Sequence, residues 1–351
     1  MSYTVIDKYR LLVRRLGFNT SRKLLSAKLG FSAQGVEPFE TKITEALASD
    51  PTVENKIDDI WHNVIFGGDK LVKVYRDVNA SKFNTIEQHF SNLPNSTHDY
   101  ATSFPFPVDE STLSSSSVND LVVCTYKTEV LSSTRTIKAA VLSNKAFFTK
   151  TEPLSRSELS SSGTALLDQG IELFCKRRVS TQCFHVVILD TSTRDIFVSV
   201  DVTALPNSEA GREFMRLYNY FRDEVGANLR DHSELFPAVS ALYDEVDDGR
   251  IHSVSFVTDD GNTDTIKLPS YSSSGCVKDD QYHAAGEVAA STLSKFKITK
   301  LWDLNEIPMG VELNGKRAML LGSGGLDKLR VYNCTKLKEN IHVLDKVLEH
   351  V

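Results

Sequence analysis

The sequence predicts an α+β protein in which a central, mostly antiparallel sheet is covered by a long amphipathic helix. Two runs rich in Val, Ile and Phe, Phe184–Leu189 and Ile196–Val202, flank the turn-forming residues Asp190–Asp195 and predict a hairpin. Pro206–Ser208 offers helix-capping side chains, and apolar residues then recur at three- and four-residue steps. This stripe consists of Phe214, Leu217, Tyr218, Phe221, Val225 and Leu229. A helix packed on a hairpin forms a local core for the remaining elements.

The first part of the chain, residues 1–95, is predicted to be mainly helical. Helical periodicity covers three segments, Phe39–Leu47, Ile57–Ile65 and Thr85–Leu93. Leu71–Tyr75 has the composition of a short strand. The N-terminal segment interleaves Lys and Arg with Leu. We interpret it as an amphipathic helix with a solvated basic face, and a phosphate-contacting segment is the alternative.

A linker and a further strand pair are predicted next. Pro94–Val118 is rich in Ser, Thr, Pro and Asn, which is typical of a linker. Asp120–Thr128 and Thr136–Ser143 are predicted to pair as strands, and Ser155–Gly163 is predicted to form a polar loop. Together with the hairpin and its helix, these elements define a central sheet-plus-helix domain, 119–250.

The last part of the chain, 251–351, is predicted to be a β-rich C-terminal α+β region. Ile251–Thr258 and Thr263–Leu268 flank a turn that contains Gly261, so they predict another hairpin. Further strands are predicted at Gly310–Leu313, Arg317–Leu321 and Leu329–Asn333. A closing helix is predicted to bury Ile341, Leu344, Val347 and Leu348.

Length, charge and cysteine usage indicate an ordinary globular protein of 351 residues. The net charge of −6 argues against a generally basic DNA-coating protein but allows a local basic patch. No apolar run approaches the roughly 20 residues of a membrane-spanning helix, and the N-terminus lacks the apolar core of a secretion signal. The five cysteines include no Cys-x-x-Cys pair and fit a reducing compartment. We therefore expect a cytoplasmic protein with no membrane partner.

Motifs for catalysis or cofactor binding are missing from the sequence. The glycine cluster Gly322–Gly325 is followed by the strand-like Leu329–Tyr332, which predicts a hairpin turn and not a phosphate-binding loop. The histidines lack zinc-protease spacing, and no serine-nucleophile motif occurs. A metal-dependent nuclease needs converging carboxylates, but the one well-placed Glu-x-Lys triplet, Glu40–Lys42, lies in a helical segment. The sequence predicts a non-enzymatic protein with no cofactor and no metal.

Basic side chains beside aromatic ones are the features that point to a partner. Lys176–Arg178 lie between Phe174 and Phe184, and three further lysines surround Phe296 and Trp302. Either set can follow a nucleic-acid backbone, or it can consist of solubilising charges that discourage strand pairing. The candidate nucleic-acid contacts are Lys176, Arg177, Arg178, Arg212, Arg216, Lys295, Lys297 and Lys300.

Several short segments of the sequence occur in the same order as similar segments of one protein family. Asp120–Lys127 precedes Lys138–Asn144, which ends in Ala-Val-Leu-Ser-Asn. Val200–Thr203 precedes a helix with aromatic residues, and Ala318–Gly322 and Leu329–Asn333 lie near the end. The helix aromatics are Phe214, Tyr220 and Phe221. In this order the chain resembles the bacterial nucleoid-associated protein family typified by NdpA/YejK.

The resemblance implies a non-enzymatic protein of the bacterial nucleoid that binds DNA or DNA-bound proteins and forms a homo-oligomer. The Ser/Thr-rich segment 94–118 and the basic N-terminal segment depart from the family pattern. Our leading hypothesis is a sequence-tolerant contact of Lys and Arg with DNA phosphates. The second hypothesis is a protein-interaction adaptor without DNA contact, for example in phage defence. The third is a divergent metal-dependent nuclease.

Overall fold

The structure is a computed structural model that describes residues 3–92, 96–269, 274–290, 292–304 and 307–351. Within these ranges the chain forms one antiparallel sheet of ten strands with helices on both faces. The predicted α+β class, the helical N-terminal region and the strand-rich C-terminal half are thereby confirmed. No helix in the described parts of the chain is long and apolar enough to cross a membrane.

The sheet takes its strands from every part of the chain. In chain order they are β1 Gly68–Tyr75, β2 Leu121–Ser132, β3 Arg135–Pro153, β4 Phe174–Asp190, β5 Asp195–Asp201, β6 Arg250–Val257, β7 Thr263–Lys267, β8 Ser294–Trp302, β9 Met309–Asn314 and β10 Leu329–Cys334. Their spatial order is β2-β3-β4-β5-β1-β10-β9-β8-β6-β7. β1 therefore lies between strands of the predicted central domain and strands of the C-terminal region. The three predicted regions share one sheet, and their division into domains stays a prediction.

The α-helices flank this sheet and fill the connections between strands. They are α1 Val5–Leu16, α2 Phe18–Leu29, α3 Val36–Ser49, α4 Thr52–Phe66, α5 Ala80–Ser91, α6 Asp99–Ser103, α7 Glu110–Ser115, α8 Ser161–Asp168, α9 Ala210–Asp223, α10 Pro237–Asp244, α11 Gln281–Ala289 and α12 Leu337–Leu348. Most coincide with segments of helical periodicity, because an apolar stripe every three or four residues is what a helix can bury on one side.

The larger core lies on the face of the sheet that α1–α4, α10 and α12 cover. Tyr9 stacks on Phe39 with ring centroids 5.5 Å apart, and the Trp61 indole donates a hydrogen bond of 2.9 Å to the Lys8 carbonyl. These contacts fasten α1 to α3 and α4. The Lys8 ammonium is itself paired, since its Nζ lies 2.7 Å from an oxygen of Asp58. α1 is therefore a packed helix of the core.

α9 and α5 cover the opposite face with a smaller core. Phe214, Leu217 and Phe221 of α9 are buried against the sheet, while Met215 on the same helix is 58% exposed. α5 contributes the buried ring of Phe90, which meets Phe221 edge-on at 6.3 Å between centroids. The predicted packing of an amphipathic helix on the hairpin of β4 and β5 is confirmed.

α9 ends earlier than its apolar stripe predicts. Gly226 adopts a left-handed φ of 72°, and the Ala227 amide donates a 2.8 Å hydrogen bond back to the Phe221 carbonyl. This is a helix-terminating arrangement that glycine permits. Val225 and Leu229 are still buried, but they lie on the segment that follows the helix.

The predicted linker Pro94–Val118 instead contains two short helices, α6 and α7; its first two residues lie outside the described ranges. Asp109 caps α7, because its carboxylate accepts hydrogen bonds of 3.0 Å from two amides of the first turn. Tyr100 and Leu113 are buried against β2. Polar composition predicted a linker, but two apolar anchors are enough to order the segment on the sheet.

Arg317–Leu321 forms a 3₁₀ helix and not the predicted strand. The run Ala-Met-Leu-Leu contains no β-branched side chain, which weakens its preference for a strand. Gly322 has a left-handed φ of 74° and ends the turn by donating a 3.0 Å hydrogen bond to the Met319 carbonyl. The glycine cluster then leads into β10, so no helix N-terminus follows it to hold a phosphate.

Besides α6 and α7, three further elements were not predicted, namely α8, α11 and β8. α8 begins inside the predicted polar loop Ser155–Gly163 and continues beyond its end to Asp168. β8 is an inner strand between β9 and β6, yet three lysines interrupt its apolar pattern. Pairing on both sides supplies the order that its sequence alone does not indicate.

Truncation of Leu217 to alanine tests the packing of α9 on the sheet. Because this side chain is fully buried, L217A should lower the free energy of unfolding by about 2–5 kcal/mol. The control M215A, on the exposed side of the same helix, should change it by no more than about 0.5 kcal/mol. Urea unfolding followed by circular dichroism measures both, and equal losses would contradict the packing described.

Candidate nucleic-acid interface

β3 and β4 are longer than the strands beside them, so their far ends leave the sheet. They pair with each other in continuous register as far as Pro153 opposite Phe174. β2 accompanies β3 only as far as Asn144, and β5 pairs with β4 only between Val186 and Asp190. Beyond these points the two strands form a two-stranded ribbon that has no further neighbour among the described strands.

The outer part of this ribbon is exposed, and we call it the arm. It consists of Thr149–Pro153 paired with Phe174–Arg178, and most of its residues are solvent-exposed. At about 3.4 Å per residue, the arm extends about 17 Å from its base. The Leu154 amide closes the ribbon with a 2.8 Å hydrogen bond to the Leu173 carbonyl, and α8 lies in the loop at the tip.

The antiparallel register sorts the side chains of the arm onto two faces. Residues directly opposite each other share a face, and successive residues along a strand alternate. Lys176 lies opposite Thr151, and Arg178 lies opposite Thr149. We call the face that carries them the open face. Within the arm its side chains are Thr149, Thr151, Pro153, Phe174, Lys176 and Arg178, and Phe147 continues the same face at the base of the arm.

The open face carries two cations that have no counter-ion in the described part of the chain. The guanidinium carbon of Arg178 lies 4.1 Å from the centroid of the Phe147 ring. Within the described parts of the chain, neither Arg178 nor Lys176 forms an ion pair, and both are exposed. Phe174 is 56% exposed at the outer end of the same face. Unpaired cations beside an aromatic ring suit a phosphate backbone and its bases.

The opposite face of the arm is electrically neutral, and we call it the paired face. Lys150 Nζ lies 2.5 Å from a carboxylate oxygen of Glu152, and Arg177 forms an ion pair with Glu158 from the tip. Hydrogen bonds from the amide and hydroxyl of Ser155, together with Arg177, lower the pKa of Glu158 to about 2. Two cations and two carboxylates therefore cancel on this face.

Arg212 and Arg216, the predicted contacts on α9, are both paired with glutamates of the adjoining helical turn. Arg212 is 77% exposed, and its Nη1 lies 2.8 Å from Glu209. Arg216 Nε lies 3.3 Å from Glu213, and its Nη1 donates to the Val118 carbonyl. Arg212 can exchange its exposed partner for a phosphate at little cost. Arg216 is held at two points.

The lysines of β8 lie far from the arm and are neutralised. Lys295 Nζ lies 3.3 Å from Asp244, and Lys297 Nζ lies 2.8 Å from Glu312. β8 is five strands away from β4, which corresponds to about 24 Å at about 4.8 Å per strand. These residues and the arm therefore do not form one basic surface.

Lys300 is withdrawn from the candidate contacts. Its side chain is 1% exposed, and Nζ donates a 2.9 Å hydrogen bond to the Leu242 carbonyl and forms an ion pair with Glu245. A buried and paired ammonium group cannot reach a phosphate without breaking its ion pair with Glu245. Sequence position alone suggested a surface cation, but this strand is covered by α10.

Of the predicted contacts, the structure brings together Lys176, Arg177 and Arg178, and it adds two residues that the sequence analysis missed. Phe147 supports Arg178, and Lys150 lies opposite Arg177. A usable signal was present, because the strand-favouring residues Phe147, Phe148, Thr149 and Thr151 follow Ser143, where the predicted strand ended. Extending the strand pair in register would have placed both residues.

A buried ion cluster lies where β4 leaves the sheet, and we call its three members the Asp201 cluster. Arg15 Nη2 lies 2.7 Å and Lys70 Nζ lies 3.6 Å from the carboxylate of Asp201. Burial raises the pKa of Asp201, but the two cations outweigh it and leave the pKa well below its usual value. Burial of the ammonium lowers the pKa of Lys70 to about 8, with Asp201 opposing and Arg15 adding to the effect.

His185 links this cluster to α9 through the other face of the sheet. Its Nδ1 accepts a 3.2 Å hydrogen bond from the Asp201 amide, so the proton of neutral His185 resides on Nε2. Nε2 lies 2.8 Å from Asn144 and 3.4 Å from Glu213. Because all these groups are buried, the network positions strands and helix and offers no accessible base.

Among the described residues, one group of three side chains has the geometry to hold a metal ion, namely Glu245, Glu349 and His350. Glu245 already pairs with Lys300, and Lys346 Nζ lies 3.6 Å from Glu349. These ammonium groups supply the positive charge that a metal ion would bring. The group therefore lacks the converging, unpaired carboxylates of a metal-dependent nuclease.

The stability of the Asp201 cluster should depend on pH through Lys70. In the folded state the Lys70 ammonium releases its proton near pH 8, whereas in the unfolded state it keeps the proton up to about pH 10.4. Between these values the unfolded state binds more protons, so the free energy of unfolding should rise with pH, by up to about 1.4 kcal/mol per unit.

Replacement of Lys70 by methionine should remove this rise, whereas K73M should keep it. Lys73 lies on the same strand but is part-exposed and pairs with Asp327 at 2.8 Å. Urea unfolding of all three proteins at about pH 7.5 and about pH 9.5 measures the effect. Parallel pH profiles for the wild type and K70M would show that Lys70 does not titrate in this range.

The resemblance to the nucleoid-associated family stays a prediction. No protein-family model matches the chain, and no curated protein matches it by sequence.

Proposed function

We propose that the chain binds nucleic acid, and that the open face of the arm contacts the phosphate backbone. The observation that carries this proposal is a pair of exposed cations on a protruding ribbon, Lys176 and Arg178, which have no carboxylate partner among the residues that the structure describes. Most other candidate cations are neutralised by nearby carboxylates. An unpaired surface cation loses no ion pair when it binds a phosphate.

The shape of the arm supports this function. A two-stranded ribbon fits the major groove of DNA, which is about 12 Å wide. Lys176 and Arg178 are two residues apart on one strand, so they lie about 7 Å from each other along the arm. This is close to the spacing of successive phosphates, and the hydroxyls of Thr149 and Thr151 can add hydrogen bonds to phosphate oxygens. Such contacts do not depend on base sequence.

The acidic balance of the whole chain is compatible with this surface. Charges are screened over a Debye length of about 10 Å at 0.1 M salt, and the arm is about 17 Å long. The outer half of the arm is therefore largely shielded from the net charge of −6. Because the open face has two cations, a single arm should bind weakly and with a modest salt dependence.

A nucleoid location and a homo-oligomeric state are part of the same proposal. Two arms on one oligomer would double the number of phosphate contacts and raise the effective concentration of the second arm. Oligomerisation would thus convert a weak contact into useful affinity. The resemblance to the nucleoid-associated family motivates the location.

A protein-interaction adaptor is the second candidate function, and the tip of the arm favours it. Leu166, Ile171 and Phe174 are large apolar side chains that are 38%, 44% and 56% exposed. Exposed apolar groups that are close in the chain are more typical of a protein contact than of a phosphate contact. The nuclease hypothesis gains no such support from the carboxylates described above.

Neutralising the open face should weaken DNA binding more than neutralising the paired face. The variant K176Q/R178Q removes two unpaired cations, whereas the control K150Q/R177Q removes two cations that carboxylates already neutralise. Both variants replace two residues of the arm, so the net charge of the chain changes by the same amount in each. Fluorescence anisotropy with a labelled duplex measures affinity at several salt concentrations.

For the wild type, the logarithm of affinity should fall with the logarithm of salt concentration, with a slope of about −2 per bound arm. K176Q/R178Q should abolish most of this slope, and K150Q/R177Q should keep it. Equal losses in the two variants would contradict the role of the open face. No wild-type affinity at low salt would reject DNA binding and leave the adaptor function.

A further inference from the structure

A small cavity adjoins the Asp201 cluster at the end of the sheet where β1 begins and where β5 and β10 end. Its volume is about 190 Å³, and it lies between the α1–α2 pair and these strand ends. Pockets for drug-sized ligands measure about 300–1,000 Å³, so this cavity suits a molecule of only a few heavy atoms. Polar residues on its wall include Arg15, Thr20, Asp69 and Thr203.

Arg15 lines this cavity with a guanidinium group whose hydrogen bonds are incomplete. Its side chain is 7% exposed, and its Nη2 is bound to Asp201 at 2.7 Å. The Nε of Arg15 is buried and has no hydrogen-bond acceptor among the described residues. An anionic oxygen in the cavity would interact with the positive charge of this guanidinium group.

The charges around the cavity leave an excess of one positive charge. Arg15 and Lys70 are two buried cations, and Asp201 is the one carboxylate between them. The other carboxylate on the cavity wall, Asp69, is already paired with Arg330 at 2.7 Å. One further anion would balance the cluster.

Carboxylates slightly farther away do not cancel this excess. Glu213 is on the other face of the sheet, where it faces His185 and pairs with Arg216 at 3.3 Å. Glu339, behind the Thr335 wall of the cavity, lies 3.6 Å from Lys336. The buried surplus therefore belongs to Arg15 and Lys70.

We propose that this cavity, the Arg15 pocket, binds a small oxyanion such as inorganic phosphate or a short carboxylate. A guanidinium group recognises the planar edge of a carboxylate or phosphate through paired N–H donors. The Thr20 hydroxyl on the first turn of α2 can add a hydrogen bond, and the size of the pocket restricts the ligand. This site is independent of the arm and of nucleic-acid binding.

Calorimetric titration with sodium phosphate, and separately with sodium acetate, tests the proposal. Sodium chloride is varied to keep the ionic strength constant, so that general screening does not mimic binding. Saturable heat with at least one of the two anions is expected, together with a rise in the melting temperature of the full chain, because a ligand of the folded state stabilises it.

Three variants locate the binding. T20I should abolish the heat, because it fills the pocket without removing a member of the Asp201 cluster. R15K should weaken binding about tenfold or more, because lysine cannot form the paired contacts. R10Q is the matched control on the same helix; Arg10 is 59% exposed and pairs with Glu40 away from the pocket, so binding should be unchanged.

Absence of heat with both anions at about 10 mM would overturn the proposal. The dissociation constant would then exceed this concentration, and such weak binding would barely stabilise the folded protein. Unchanged binding in T20I would overturn it as well, because the anion would then be bound elsewhere. The variant K176Q/R178Q should bind the anion like the wild type. A defect of that variant in DNA binding alone separates failure of the proposed function from failure of this site.

Discussion

The pairing of β3 with β4 is the constraint on which the architecture and the candidate interface both depend. Inside the sheet this pair carries buried side chains to both faces, where the two hydrophobic cores form. Outside the sheet the same register continues to Pro153 opposite Phe174 without a neighbouring strand. The ribbon is ordered because its inner half is anchored, and it is accessible because its neighbours end. The same strand pair therefore stabilises the core of the sheet with its inner half and forms the arm with its outer half.

Strand alternation determines which cations are available to a partner. Lys176 and Arg178 point to one side of β4, and Arg177 between them points to the other. Glu152 and Glu158 meet only the second side, where they pair with Lys150 and Arg177. Of the three consecutive basic residues, Lys176 and Arg178 therefore have no ion-pair partner among the described residues, whereas Arg177 is neutralised. Charge counted along the sequence does not show this division, whereas charge counted on each face does.

Local patterns predicted much of the fold, and long-range contacts determined the rest. The hairpin of β4 and β5 with α9 followed from periodicity, because each element contains its own apolar face. Lys300 is buried because it contacts Leu242 and Glu245. These residues are distant in sequence, so no local pattern indicates the burial. The Asp201 cluster likewise draws Arg15 from α1 onto the end of β5. The arm was missed because its polar residues end the apolar pattern while backbone pairing continues.

Hydrogen–deuterium exchange with and without a duplex oligonucleotide tests the location of the nucleic-acid contact most directly. The arm supplies the contact in this account, so bound DNA should slow exchange in peptides that cover residues 149–153 and 174–178. Peptides from β8, residues 294–302, should exchange at the same rate in both samples. Protection of β8 without protection of the arm, or no protection at saturating DNA, would contradict the account.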